Sequence, residues 1–585
     1  MIYDNNMDYI FTHDDSDQKD MKELQDLLDF SDAKKTIIVN NLVSSVKLHD
    51  GIDISKDVYK DTNIDKWSRV LPKLYGSKQL IQRLIHNPIN NESLLKERQA
   101  SYDKISSIDI NKLEELQNLR DYEDDVLWIY KLNEEIQANN LIYSLFPTGF
   151  IISYMNYISP LLDLYHIYKI YITPLTILLY PIMTLFAPLY YLNKFLNFNL
   201  TISSYLAMLY NIFKMFVSFS GGIKAVLIKI ISLSFYIFIF IYNTYQTLEY
   251  CYLLHNARDT LYKKICSLNI FLKSASSIIS SLPSDITDPF IIQSNDISSS
   301  SPLVSLNNNM TNIYKIWKDD NIKDNISKIL HKIYTIDIIY SIHELYKNKN
   351  WCLTEYNQNN IKIWNMKNPL LSNKQTANPI DLSKNFIITG PNAAGKTTYV
   401  KSILSNIILS QSFGICYAQR ANVVLYDCIS SFMRISDILG SKSYFEVEAE
   451  YCSKMMKKAT ELSQMNKKAL FLMDEPMHST PPIEGMSTAF AVAEYIGNLT
   501  GTSIILTTHF HKLIHLADIY PDKFINLSVE AIPQEKGFLF PYKIRKGHSY
   551  QCIAIELLSS KDFNKSVIES AINMKNKIYN ELNSR

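Results

Sequence analysis

The stretch Phe386-Ile387-Ile388-Thr389-Gly390-Pro391-Asn392-Ala393-Ala394-Gly395-Lys396-Thr397-Thr398 decides the fold of the C-terminal part of the chain. A short β-prone run leads directly into a glycine-bounded turn, and Tyr399 to Leu409 then carry apolar residues at helical spacing. Strand, loop and helix in that order are the context a phosphate-binding loop requires. The spacing has a cause: the glycines let backbone N–H groups curl around phosphate oxygens, and the helix N-terminus adds positive potential. Lys396 is then expected to reach the β- and γ-phosphates, and Thr397 to offer its hydroxyl to Mg²⁺. Gly390 through Thr398 are the expected nucleotide-binding residues.

Downstream, Lys468-Ala-Leu-Phe-Leu-Met-Asp474-Glu475 is an apolar strand ending in two acids. That arrangement puts Asp474 near Mg²⁺ and Glu475 near the attacking water of a phosphoryl-transfer site. Taken alone it is weak, since apolar strands often end in acids. A second apolar strand, Ser503 to Thr508, ends at His509, a candidate hydrogen-bond reporter on the γ-phosphate; a lone strand-end histidine is more often structural. Loop, acidic strand and histidine strand in this order resemble the ATPases that include the ABC-type dimeric engines. The expected catalytic residues are Lys396, Glu475 and His509, the metal ligands Thr397 and Asp474, and the cofactors ATP and Mg²⁺.

Several further stretches resemble MutS, the family of DNA mismatch-repair ATPases. Asn378-Pro-Ile-Asp-Leu-Ser-Lys-Asn-Phe-Ile-Ile-Thr-Gly-Pro-Asn392 is similar to the family's approach to the phosphate loop, and Tyr417-Ala-Gln419 to its Pro-Ala segment. Ser436 to Glu448 resembles the family's signature loop. By that resemblance Ser443 reaches the γ-phosphate held by a partner subunit, which implies a homodimer formed through the ATPase domain. Gly547-His-Ser-Tyr550 and Val567 to Leu582 look like the family's closing, dimerising helices, and Gly76 to Arg98 like the start of its core and lever region. The resemblance covers Ile338 to Leu582 well and Asp65 to Leu141 weakly.

Departures from the family's pattern matter as much. Met477-His-Ser-Thr-Pro-Pro482 replaces the Gly-Arg-Gly-Thr-Ser-Thr expected after the acid pair, which bears on communication between two sites. The aromatic that stacks on adenine falls near Gln375, leaving Tyr542 as a candidate for part of that contact. No Phe-x-Glu mismatch wedge occurs in the first 140 residues, and there is no room ahead of Asp65 for a separate mismatch-reading domain.

The middle of the chain has a different character. Ile170 to Leu192 and Ile230 to Leu248 carry no charge, and aromatics crowd the second run without leaving a polar face. Each approaches the roughly 20 apolar residues of a bilayer-spanning helix. A buried core helix is the competing reading, but the flanking polar helices offer no large body to bury one. Weaker spans run from Pro147 to Tyr168 and from Leu200 to Phe219, giving an expectation of two or four, with Pro174, Pro181 and Pro188 kinking the best one. Lys194, Lys214, Lys224 and Lys229, unaccompanied by acids, would make an outer loop that opposes the positive-inside tendency.

With 585 residues, the chain exceeds one compact core at roughly 150 residues per domain. Its net charge of +1 supplies no global field for nucleic acid, so DNA binding needs a local patch. The seven cysteines show no zinc-ligand spacing and fit a reducing compartment. Met1 to Asp20 is acidic and polar, reading as a mobile tail and not as a signal peptide.

The expected organisation is an α/β P-loop ATPase domain joined to an α-helical core and lever region interrupted by transmembrane helices. Its parts are an acidic, partly disordered segment 1–64, helical core 65–145, apolar block 146–248, and lever 249–347 with a Ser/Asn-rich loop 274–309. The ATPase domain spans 348–545 and the dimerisation helices 546–585. The expected function is a dimeric, MutS-like ATPase with DNA as a candidate ligand. Alternatives are a membrane-embedded mechanochemical ATPase, its ATPase domain on the cytosolic side, or a nucleotide-gated scaffold with no direct DNA role; a soluble intracellular protein is the minor alternative for location. Retention of both Asp474 and Glu475 favours an enzyme over a scaffold.

Overall fold

A computed structural model describes residues 31–68, 71–106, 110–131, 144–217, 222–292, 308–357, 360–372, 374–433, 444–534, 537–551, 553–559 and 563–583. The chain divides into two compact units: Met1–Val39, Asn118–Ser276 and Ile297–Ile329 form one, and Asn40–Gln117, Ser277–Asp296 and Leu330–Arg585 the other. The second unit carries the sheet. Its strands are β1 (Asp53–Ile54), β2 (Asn385–Thr389), β3 (Cys428–Phe432), β4 (Ala469–Asp474), β5 (Thr502–Thr507), β6 (Phe524–Val529) and β7 (Ile544–Lys546), in spatial order β1-β3-β4-β5-β2-β6-β7. All neighbours pair in parallel except β6 and β7. Every residue of β2 and β4 is buried, as expected for parallel strands covered on both faces.

A smaller five-stranded sheet orders Asn378–Leu382, Ile361–Met366, Arg420–Val424, Cys352–Asn357 and Ile415–Cys416. Both sheets flank the helix Lys396–Phe413, which is buried almost throughout although it contains Ser402, Ser405, Asn406, Ser410 and Gln411. Asn406 and Gln411 are satisfied inside: the Asn406 amide donates to Lys367 O at 2.9 Å, and that of Gln411 to Tyr426 O at 2.9 Å. Such bonding removes the desolvation penalty of these two amides.

The segment 1–64 differs from its expected separateness. Asp53–Ile54 is the edge strand β1 of the main sheet, tied by Asp53 N to Asp427 O at 3.1 Å and Ser55 N to Ile429 O at 3.1 Å. A strand of 2 residues has no periodicity to read. Between Gly76 and Arg98 the helical run breaks at Asn87-Pro88, as its sequence predicts, giving two helices, Tyr75–Ile85 and Glu92–Ile105, because proline disfavours helical geometry in the residue before it. Buried Asp337 accepts from the backbone N–H of Leu74 at 2.9 Å and of Lys73 at 3.0 Å at the start of the first of these helices; burial raises its carboxyl pKa.

The second helix grips the C-terminal end of the helix Lys396–Phe413. Arg98, fully buried, donates to Ser412 O and, at 2.7 Å, to Pro289 O; Gln99 donates to Gly414 O at 2.8 Å and Tyr102 to Phe413 O at 2.7 Å. These bonds satisfy carbonyls at a helix C-terminus, where a cation is also favoured by the helix dipole. Burial draws the Arg98 guanidinium down to about 10. Arg98→Met is expected to destabilise the protein by about 3 kcal/mol, because it orphans two buried carbonyls. Urea unfolding checks this, and an unchanged midpoint would remove Arg98 from the list of residues holding that helix end.

In the first unit, a turn of 3₁₀ helix (Ile152–Tyr157), the helix Ser159–Ile167, a π-turn (Tyr168–Ile172) and the helix Thr173–Phe195 follow one another. The last of these runs on through Pro181 and Pro188. Ile202–Val217 and Gly222–Ser280 are also helical, the latter lying for most of its length in this unit. Among the described residues, two helical stretches are long and apolar enough to cross a membrane: Ser159–Phe195 with 37 residues and Val226–Ser280 with 55. Their most apolar windows are only 6% buried. Ile202–Val217, at 16 residues, is short for a span. The expected loop 274–309 is helical up to Ser280, because Ala275 and Ile278 are buried and continue the helical spacing between the serines; turns follow to residue 292. Residues 293–307 of that loop, and residues 1–30 with the acidic tail Met1–Asp20, lie outside the described residues.

Candidate active site

Register brings the carboxyl ends of three strands together. Thr507 of β5 pairs with Asp474 of β4 on one side and with Ile388 of β2 on the other, so the acid pair, His509 and the Gly390–Thr398 loop emerge at the same end of the sheet. Parallel α/β sheets bind ligands at the carboxyl ends of their strands for this geometric reason.

The loop leaves β2 at Gly390, whose φ is +146° and where a Cβ would lie 2.3 Å from Val529 O; only glycine fits there. Ala393 adopts φ 67° and Gly395 φ 98°, and the helix begins at Lys396. A cavity of about 540 Å³ opens over this turn, lined by Pro391, Asn392, Ala393 and Gly395 through Thr398. Ala394 is buried beneath it. Lys396 is only 4% exposed and donates from Nζ to Gly390 O at 2.9 Å and Pro391 O at 3.3 Å, which folds its ammonium over the loop.

Thr397 Oγ1 donates to Asp474 Oδ2 at 2.9 Å, and Thr507 Oγ1 donates to Asp474 Oδ1. Glu475 follows with φ 54°, a left-handed conformation that is costly for a residue with a side chain and clusters at functional sites. One of its oxygens lies 3.8 Å from Lys396 Nζ and in ion-pair contact with His509 Nε2. His509 lacks hydrogen-bond alignment in that contact. The histidine expected to face the γ-phosphate therefore sits first against the carboxylate. Its neighbour His511 has a pKa held below the ordinary histidine value, by burial and then by His509 and His548.

Tyr542 borders the cavity at φ 54°, its ring so close that a Cβ on Gly395 would lie 2.9 Å from Cδ1. Asn378 anchors this segment, donating to Tyr542 O at 2.8 Å and accepting from Ile544 N at 3.0 Å. The cavity's other end is built from Met366, Asn368, Leu371, Lys374 and Thr376, which the sequence reading did not single out. Gln375 is turned onto Asn368, accepting from its N–H at 2.7 Å and donating to its carbonyl at 2.8 Å. The turn-forming Asn368-Pro369 pair was the one local signal for this wall. Ser443 and the rest of 436–443 lie outside the described residues.

A mostly parallel sheet with a glycine-bounded loop at a strand's carboxyl end, a lysine in the first helical turn and an acid pair on a neighbouring strand makes this a mixed α/β domain of the P-loop ATPase-related class. Within that class, residues 386–579 match the family model described as MutS domain V. The chain is 30% identical over 257 residues to the DNA mismatch repair protein MutS of Petrotoga mobilis, covering 42% of this chain and 30% of that protein. It is 34% identical over 200 residues to the DNA mismatch repair protein Msh2 of Dictyostelium discoideum, covering 33% of this chain and 21% of that protein. The MutS of Thermosipho melanesiensis is 31% identical over 192 residues, 33% of this chain and 23% of that protein. These similarities support a MutS-like C-terminal part, and the chain spans less than a third of the length of each of these relatives.

Proposed function

We propose that the chain binds and hydrolyses Mg·ATP as a homodimer. The observation that carries this reading is the convergence of Lys396, the Thr397–Asp474 pair and Glu475 at one mouth of the cavity. Loop N–H groups and Lys396 hold the β- and γ-phosphates and offset their charge. Mg²⁺ takes oxygen ligands, and a hydroxyl bonded to a carboxylate beside the loop fits it, so Thr397 and Asp474 are the residues that would hold it. When bound, the ion neutralises charge on the phosphate oxygens. Glu475 orients the attacking water and accepts its proton as the water oxygen bonds to γ-phosphorus and the bond to the ADP oxygen breaks. His509 steers that carboxylate, and Tyr542 covers the nucleotide from the side of Gly395.

Dimer formation is supported by the helix Lys565–Asn583, on which Val567, Met574 and Ile578 are exposed at coiled-coil spacing. In this reading Ser443 reaches the γ-phosphate on the second copy. DNA is the ligand favoured by the relatives, which are named as mismatch repair proteins. The exposed apolar helices favour a membrane-embedded ATPase as the second reading: Phe235, Tyr236 and Phe238 are 62%, 78% and 64% exposed. A bilayer would remove that surface from water, with the ATPase domain on the cytosolic side where ATP is.

The test is ATP hydrolysis by the detergent-purified chain, alone and with duplex, mismatched or branched DNA, beside alkaline extraction of the membranes that contain it. Turnover raised by one of these DNAs supports the DNA-handling reading. Turnover indifferent to all of them, from a chain that resists extraction, supports the membrane machine. Release by alkali would remove the membrane from either account, and no turnover at all would sink the enzyme.

A further inference from the structure

We propose that Glu448 and Ser479 are positioning residues for hydrolysis, forming the connection through which the helix Tyr444–Gln464 sets the place of Glu475. The inference rests on the proposed ATP hydrolysis. Glu448 lies in the first turns of that helix with 8% of its surface exposed. One of its carboxylate oxygens accepts from Ser479 Oγ at 2.6 Å and from Ser479 N at 3.2 Å. Among the described residues no cation forms an ion pair with it. A buried carboxylate whose donors come from a single serine ties the two segments together, because hydrogen bonds to a charged acceptor are about twice as strong as neutral ones.

The segment it ties is the one whose shape matters. Glu475 and Met477 both hold left-handed backbone conformations, at φ 54° and 59°, and Ser479 comes after His478 in the same turn. Non-glycine residues keep such conformations only where the surroundings impose them. Glu475 is fixed on its inner side by its N–H donating to Thr507 O at 3.0 Å. Beyond Met477, Ser479 is the hydrogen-bonded anchor before the helix Pro482–Asn498 begins. The other side of the connection is rigid: Cys452, Met455, Ala459 and Leu462 of the Glu448 helix pack into one apolar cluster with Phe471 and Met473 of β4. A displacement of that helix is therefore passed to the turn that carries Glu475.

Ser479→Ala, Ser479→Thr, Glu448→Gln and the Ser479→Ala/Glu448→Gln pair, measured beside the wild type and Glu475→Gln, test this. The readouts are kcat and KM for Mg·ATP, equilibrium binding of a fluorescent ATP analogue, and the thermal unfolding midpoint. Ser479→Ala is expected to lower kcat about tenfold, the equivalent of one such hydrogen bond, with nucleotide binding changed less than about twofold. Ser479→Thr restores the rate because it keeps the hydroxyl. The double variant matches Ser479→Ala alone within about twofold, because once the hydroxyl is gone the charge of Glu448 acts only on the longer remaining bond from Ser479 N, at 3.2 Å. An unchanged kcat in Ser479→Ala overturns the proposal, as does a loss of binding that parallels the loss of rate. If the unfolding midpoint of Ser479→Ala falls and Ser479→Thr fails to restore kcat, the pair is a structural tie only and the proposal is likewise overturned. A wild type that binds the analogue without turnover overturns the hydrolysis reading itself, and this inference with it.

Discussion

Lys396→Ala is expected to lose ATP binding by at least about 100-fold, roughly the worth of a charge-assisted contact to phosphate in a shielded site. The side chain is almost wholly enclosed and lies over the loop, bonded to Gly390 O and Pro391 O. Those carbonyls are neutral acceptors, so the ammonium gains when a phosphate oxygen replaces them. Alanine suits a first helical turn, and the loop's shape is set by backbone conformation at Gly390, Ala393 and Gly395, so the fold should survive. Equilibrium binding of a fluorescent ATP analogue, with circular dichroism to confirm an intact fold, checks it. Retained affinity in the variant would show that the cavity does not hold phosphate in the proposed way.

Glu475→Gln is expected to bind ATP at least as tightly as the wild type while losing turnover by about 10²–10³-fold, the usual effect of removing a general base. Glutamine keeps the size of the side chain and its place beside His509 but cannot take a proton from water. It also removes a negative charge from the neighbourhood of Lys396, 3.8 Å away in this structure, and so relieves repulsion against the incoming phosphates. Single-turnover hydrolysis and nucleotide retention on a gel-filtration column measure the two effects separately. Parallel loss of binding and rate would mean that Glu475 supports the loop and does not act on water.

The legible parts of this protein were those in which the information lies along one element. Gly390 to Thr398 could be read because glycine positions, lysine and threonine occupy consecutive places on one strand, turn and helix. Asp474 and Glu475 could be read because an apolar strand ends on them. The uncharged runs within Ile170–Leu192 and Ile230–Leu248 fall in helices by composition alone.

What stayed hidden depends on separation. The cavity wall from Met366 to Thr376 carries no nucleotide motif, and it becomes a wall through bonds such as Asn406 to Lys367 O and Thr376 to Pro541 O. The contact of His509 with Glu475 exists because β5 and β4 pair in one register; a shift of a single residue would point each strand's side chains to opposite faces. Arg98 reads as a helix-surface residue until helix packing sets it against the carbonyls of Ser412 and Pro289.

By itself, then, the sequence determined the strand, glycine-bounded turn and helix around Gly390–Thr398, the acid pair at a strand's end and the presence of a long apolar block, because residue type and spacing within one element suffice for each. The tertiary structure alone decided that Asp53–Ile54 completes the sheet, that Arg98 caps the helix Lys396–Phe413 and that Glu448 holds Ser479. Those contacts join residues far apart in the chain, and strand register and helix packing, which no local periodicity encodes, choose which of them meet.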